Sequence, residues 1–397
     1  MRLLSLAVVA LFALSAVATL SAVSQRTSGV RTVGTGSEPL IVDAQAIDTD
    51  LSQANAIAAN AFLGGGIESP AQRSAYQSNI QAATTLVADA ARRSGTDSQS
   101  AGSLQTLADQ IPVYTGLVET ARANNRQGFP VGAAYLRQAS ALMSNTILPA
   151  AQKLYSVDAA RLDGGNAKAR NTYNTTLVSL LLLLILFGGA GAQIWMGART
   201  NRLLNLPLLG ATLLAVILLV ITVSDMRSEA AQSAQARDSS YAKVNVVAQA
   251  RIAAFRAKGD ESLTLIGRGN GSAFEDDFKA QLAKIPSLLD AAHVPQTALQ
   301  AYVAVHHQIR TLDDGGQFDQ AVALAVGGGQ SSAANQAFTA LDTQLSDALH
   351  SSQSDFVAHE RAARRHLRGL IPAILIVMIF ACALALYGLQ QRINEYR

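Results

Sequence analysis

The sequence predicts an all-α membrane protein with four transmembrane helices and two extracytoplasmic antiparallel four-helix bundles. Three observations carry this. Leu177–Met196 and Leu203–Val223 are uncharged apolar runs of about twenty residues, the length a helix needs to cross a hydrocarbon core roughly 30 Å thick. Two more such runs, Leu3–Val23 and Leu370–Leu389, lie at the chain ends. The polar segments between them, 24–176 and 224–369, place apolar residues at three- and four-residue steps, the period of an amphipathic helix.

Only Gly197-Ala198-Arg199-Thr200-Asn201-Arg202 separates the two central runs, so they form a hairpin. That turn holds Arg199 and Arg202 and no acid, which directs it to the cytoplasm by the bias of short loops. Four crossings then put both termini beside the turn and both polar segments outside. The resulting plan is transmembrane helix 1 over 1–23, bundle 1 over 24–176, transmembrane helix 2 over 177–196 and the cytoplasmic turn over 197–202. It continues with transmembrane helix 3 over 203–223, bundle 2 over 224–369, transmembrane helix 4 over 370–389 and a cytoplasmic tail over 390–397. Arg361, Arg364, Arg365 and Arg368, with His366, sit on the exterior side. They read as a rim on headgroup phosphates, because long segments translocate largely regardless of charge.

Taken in order, Met1–Val23 reads as an uncleaved signal anchor: its apolar run exceeds the usual 7–15 residues, and Ala16-Val17-Ala18 is a poor cleavage site. Ser24–Pro39 is a Gly-, Ser- and Thr-rich lead-in. Ala44, Ile47, Leu51, Ala54, Ala58 and Ala61 make the seam of a first helix, ended by Gly64-Gly65-Gly66. Ser69-Pro70-Ala71-Gln72 opens a second with an N-cap hydroxyl, proline at the first helical position and glutamine at N3. It runs to about Arg93; a third covers Ser98–Asn124 with a bend at Pro112, and a fourth Pro130–Leu162 with a bend at Pro149.

The second segment repeats this plan. Val244, Ala248, Ile252 and Phe255 mark a first helix with no breaker between it and the membrane run near Pro207. Gly267–Ser272 is a loop, Ala273–Ala292 a second helix, and Pro295 opens a third that stops at Asp313-Asp314-Gly315-Gly316. A short helix covers Phe318–Val326. From Ser331 a single rod continues through Phe338, Leu341, Leu345, Leu349 and Phe356 into the last membrane run, kinked at Pro372; at 1.5 Å per residue it reaches ~85 Å. Gln127–Ala134 and Gln317–Ala323 open the last exported helices after similar breakers, a match that common composition and true duplication explain equally well.

Composition and motifs exclude several functions. A charge of +3 over 397 residues gives no general affinity for nucleic acid. Cys382, the only cysteine, lies in the last apolar run, so neither an intramolecular disulfide nor a thiolate metal site can form. No phosphate loop, zinc pair, nucleophile elbow or calcium loop occurs, and Gly267-Arg268-Gly269-Asn270-Gly271 follows no strand and reads as a helix connection. Adjacent His306 and His307 point about 100° apart on a helix and read as surface residues; His359 and His366 share a face of the last rod. No enzyme is therefore expected, and no catalytic, cofactor-binding or metal-ligating residue. An anionic ligand would need guanidiniums, for which Arg251 with Arg256 and Arg122 with Arg126 are the available pairs; the ligand-binding residues stay unassigned.

The layout of membrane helix, four-helix segment, membrane helix resembles the ligand-binding part of bacterial chemoreceptors and sensor kinases. Two such units in one chain, with no signalling domain after either, are similar to the GlnX family of actinobacterial membrane proteins. The resemblance implies a relay of amino-acid availability from a periplasmic amino-acid-binding lipoprotein, GlnH, to the cytosolic Ser/Thr kinase PknG; it assigns partners and no residue. The cytoplasmic elements, Met1-Arg2, the turn and Gln390–Arg397, are too small for an enzyme, so any output passes through another chain. Arg199, Arg202, Arg392, Glu395 and Arg397 are the charges with which they could grip it, and a homodimer is compatible with the layout. The contrasting class is a scaffold subunit of a cell-envelope complex. Single cysteines at Ser98, Thr200 and Ser331 test the topology: an impermeant thiol reagent on intact cells should label the first and last only, and labelling of Thr200 alone would reverse the orientation.

Overall fold

A computed structural model of the chain describes all residues except 1, 33–37, 66–67, 95–97, 170–171, 201–204, 236–238, 240, 328–330, 368 and 396–397. The described residues are helices and their connections, without a strand. In chain order the helices are α1 (Arg2–Thr32), α2 (Glu38–Leu63), α3 (Pro70–Ser94), α4 (Ser98–Arg126), α5 (Val131–Leu142), α6 (Leu148–Ala169), α7 (Thr172–Thr200), α8 (Leu206–Gln235) and α9 (Ala242–Ile266). They continue as α10 (Ser272–Leu282), α11 (Ile285–Ala292), α12 (Thr297–Asp314), α13 (Phe318–Val326), α14 (Ala333–Leu367) and α15 (Leu370–Glu395).

The chain divides into two compact units. One gathers Met1–Thr35, Asp163–Arg237 and Val357–Arg397; the other gathers Gly36–Leu162 and Asp238–Phe356. In the first, Ala7–Gln25, Thr175–Trp195, Leu206–Gln232 and Leu370–Gln391 are each long and apolar enough to cross a membrane. Helix α1 packs on α7 and α15, and α8 packs on the same two, which closes a four-helix ring. Small residues permit the close approach: a Cβ at Gly189 would meet the Thr212 side chain at 2.6 Å, and one at Gly188 would meet Leu11 at 3.0 Å. Gly191 has nothing within 4 Å. Buried Asn205 caps α8 through Leu208 N (3.3 Å) and donates to the Gly388 carbonyl at 2.7 Å, tying α8 to α15. The side chains of Arg199, Arg202, Arg392, Glu395 and Arg397 lie outside the described residues.

Both polar segments contribute to the second unit. Helix α3 begins where its cap requires: Ser69 Oγ accepts from Gln72 N and Gln72 Oε1 accepts from Ser69 N, both at 3.2 Å. Around α2, the seam residues Ala44, Ile47, Leu51, Ala54 and Ala58 are buried with Leu107, Tyr114, Leu136 and Met143. The fourth helix of the first segment is interrupted by a π-helical turn, Met143–Ile147, one residue before the start of the Leu148-Pro149 pair. Pro149 donates no N–H and its ring crowds the carbonyl four residues back, which a wider turn accommodates. In the second segment Phe255, Tyr302 and Phe338 form an aromatic centre, with Phe338 edge-on to both others at 5.2 and 5.4 Å.

Two expectations are corrected. Ala273–Ala292 is two helices, because Pro286 opens α11 and cannot continue α10. The rod from Ser331 is not continuous: Gly369 takes φ +91°, a left-handed conformation that no helix interior holds, so α14 and α15 are separate. The expected continuity between the Pro207 run and α9 falls partly on residues 236–238 and 240, outside the described ones.

The two matched breakers share one geometry. Gly128 and Gly316 both have positive φ, 73° and 76°, and each closes the same pair of C-terminal bonds. Phe129 N donates to Asn124 O and Gln317 N to Leu312 O, while the glycine amides donate to Asn125 O and Asp313 O.

Helix α2 is the shared wall, packing on α3 and on α9. At the crossing a Cβ on Gly259 would lie 3.6 Å from Ala56 Cα, and core residues are exchanged: Ala56 joins the core of the second segment, and Leu263 that of the first. Leu51→Ala, at the centre of this wall, should therefore cost about 2–5 kcal/mol, whereas half-exposed Val42→Ala should cost under about 1 kcal/mol. Unfolding midpoints of the two variants at one scan rate check the contrast; equal shifts would remove α2 from the centre of the core.

Candidate functional site

Beside the apolar seam, α2 carries a second, polar stripe: Gln45, Asp48, Ser52 and Asn55 recur at steps of three, four and three. Helix α9 carries its counterpart in Asn245, Gln249, Ile252 and Arg256. The two stripes face each other. Gln45 and Asp48 of the first and Asn245, Gln249, Ile252 and Arg256 of the second wall a cavity of about 670 Å³, completed by Gln152 and Tyr155 from α6 and by Lys284, Ser287 and Leu288 around the start of α11.

At one end stands an ion pair. Arg256 Nη2 donates to Asp48 Oδ1 at 3.0 Å and Oδ2 at 3.4 Å, and Ser52 Oγ donates to Oδ1 at 3.2 Å. Gln152 adds a hydrogen bond to the same carboxylate. Burial pushes the Asp48 carboxyl up from its ordinary range, against the opposing pull of Arg256. Elsewhere on the wall the Asn245 side-chain oxygen collects three donors: Tyr155 Oη at 2.7 Å, Gln249 Nε2 at 3.0 Å and Gln45 Nε2 at 3.1 Å. Lys284 is exposed at the rim, its Nζ bonded to Gln281.

Of the arginines singled out from the sequence, Arg256 alone lines this cavity. Arg251 is bound through Nε to Asp342 of α14 at 2.6 Å. Arg122 is buried between Glu68 (2.9 Å) and Glu119 (2.6 Å), with its guanidinium 4.2 Å from the Tyr76 ring centre. Arg126 is exposed. The two expected pairs are thus split by their partners.

A second charged group was hidden from the sequence. His306, expected at the surface, is 2 % exposed and stacks on Phe278 with centroids 3.6 Å apart, while His307 is exposed. Its Nδ1 lies 3.0 Å from Glu261 and its Nε2 3.2 Å from Glu275. Lys258 bonds Glu261 at 2.7 Å, and Arg310 approaches Glu275 at 3.7 Å. Burial opposes the Glu261 charge, yet Lys258 and His306 hold its carboxyl below the ordinary range. This network of hydrogen bonds and ion pairs ties α9, α10 and α12 together.

Asp260 generates a prediction. Desolvation, reinforced by Asp277, raises its carboxyl to about 8 against the pull of Arg256. Between about pH 4 and 8 the folded chain then keeps a proton that the unfolded chain releases, so rising pH removes stability over that window. Asp50, raised by burial to about 6, acts with the same sign up to that pH. Asp260→Asn should match the wild type near pH 4 and become progressively more stable than it toward pH 8. Unfolding midpoints of both proteins across that range decide the matter, and parallel curves would refute the assignment.

Residues 29–167 match the family profile of an actinobacterial sensor domain. No curated protein and no solved structure matches the chain. The matched stretch carries α2 and α6, two walls of the cavity; α9 and α11 lie beyond it. This multi-pass chain is thus similar, over its first polar segment, to the sensor domains of actinobacteria.

Proposed function

We propose that this protein is a non-enzymatic transmembrane receptor whose polar unit stands outside the cytoplasm and whose turn and termini lie inside. It reads amino-acid or nutrient status, through a periplasmic solute-binding lipoprotein of the GlnH kind, and passes it to a cytosolic Ser/Thr kinase of the PknG kind. One observation carries the reading: the segment similar to a sensor domain supplies only half of a polar cavity, and the second segment supplies the rest. Occupation of such a seam, or docking of a loaded binding protein over it, biases the packing of α2 against α9. Helix shifts of about 1–2 Å are the usual output of such a bias.

A scaffold would need neither the polar stripe nor the cavity, since an apolar α2–α9 contact would hold the two segments at least as firmly. The discriminating experiment follows phosphorylation of the kinase's substrates in cells after amino-acid addition. Deletion of this chain should abolish the response, and the Asp48→Asn/Arg256→Gln double variant should blunt it at normal membrane levels. A full response in the deletion strain, with disturbed assembly of envelope complexes, would establish the scaffold instead.

A further inference from the structure

We infer that the cavity between α2, α6, α9 and α11 binds a small carboxylate-bearing solute directly, with Arg256 and Lys284 as the anion-recognising groups. This deepens the receptor reading and rests on it. The charges lining the cavity are Asp48, Arg256 and Lys284, one acid against two cations. Asp48 is already engaged by Arg256 Nη2, Ser52 and Gln152, which leaves an excess positive charge without an acid on the wall. Arg256 itself lines the cavity, and a carboxylate oxygen is the charge-matched acceptor for a guanidinium there.

The remaining lining defines the rest of the solute. Gln45, Gln152, Gln249 and Gln281 offer both donors and acceptors, whereas Ile252 and Leu288 supply apolar surface. Such a wall suits a molecule that joins a carboxylate to uncharged polar groups, and a cavity of about 670 Å³ lies within the range of sites for small solutes. A diamine would meet the excess positive charge, and a polyphosphate would find too few cations. A carboxylate on Arg256 would also touch both polar segments at once, since α2 and α6 come from one and α9 and α11 from the other.

The test uses purified full-length protein in lipid nanodiscs, with succinate, L-glutamate and L-glutamine as probes and putrescine as the cationic control at equal ionic strength. Carboxylates should raise the unfolding midpoint and give saturable heats, whereas putrescine should do neither. Lys284→Ala, at an exposed position, should weaken binding about fivefold. Asp48→Asn/Arg256→Gln, which removes both buried charges together, should weaken it at least about tenfold. Stabilisation by putrescine equal to that by succinate, or no response to any carboxylate at millimolar concentration, would overturn the assignment. In the latter case a kinase response that still needs this chain leaves the receptor reading standing through its binding protein. Carboxylate binding without any kinase response does the reverse.

Discussion

The polar unit depends on one ion pair. Asp48 and Arg256 are 208 residues apart in sequence and meet across α2 and α9. Asp48 is buried and Arg256 about 21 % exposed, and the desolvation of such a pair commonly cancels its Coulomb gain, so well-packed apolar residues would hold the helices equally well. Removing one partner is a different matter, since an uncompensated buried charge costs about 3–5 kcal/mol. The pair therefore contributes little net adhesion, but it penalises every alternative register in which Asp48 or Arg256 is buried alone. That is how it governs the alignment of the two stripes, and with them the cavity.

The other bonds of the seam follow from that register. With Asp48 opposite Arg256, Gln45 reaches Asn245, and at the far end of α2 Asn60 reaches Asn335 of α14 at 3.2 Å. Gly259 then sits against Ala56, where even a Cβ would meet the Ala56 backbone at an ordinary contact distance of 3.6 Å. The boundary is mixed: Ala56 and Leu263 are exchanged between the two cores, and directional polar bonds run beside them. Arg256 also tempers Asp260, whose carboxyl is still raised to about 8, so one guanidinium serves more buried acid than it can neutralise. The α9 surface thus carries a carboxyl that gains or loses its proton at about pH 8.

What the sequence disclosed and what it hid divide along the same line. The Ser69-Pro70-Ala71-Gln72 start, the α2 seam and the stops at Gly128 and Gly316 were legible, because a cap or a seam is made by residues within a few positions of each other. The break at Gly369 was misjudged: a glycine inside an apolar period can sit in a helix, and only its left-handed φ shows that it does not. His306 looked like a surface residue because its carboxylates lie 45 and 31 residues away, on helices whose facing sides no local pattern specifies. The cavity had a signal that went unused. Polar residues at helical spacing beside an apolar seam, as in Gln45, Asp48 and Ser52, mark a helix with two buried faces rather than one.

Magnitudes decide whether such a seam can transmit anything. The bonds of Tyr155 and Gln45 to Asn245 and the Asn60–Asn335 bond contribute about 0.5–1.5 kcal/mol each, net of water, and the ion pair contributes little beyond them. A ligand present at a hundred times its dissociation constant stabilises the conformation it prefers by about 2.7 kcal/mol. Ligand and seam are thus of comparable size, which is the condition for a shift between two packings. Each large apolar side chain buried across the boundary, as Leu263 is, adds roughly 2–5 kcal/mol against such a shift. The fewer apolar side chains cross the boundary, the smaller the differential affinity a ligand needs to shift the alignment of the two segments.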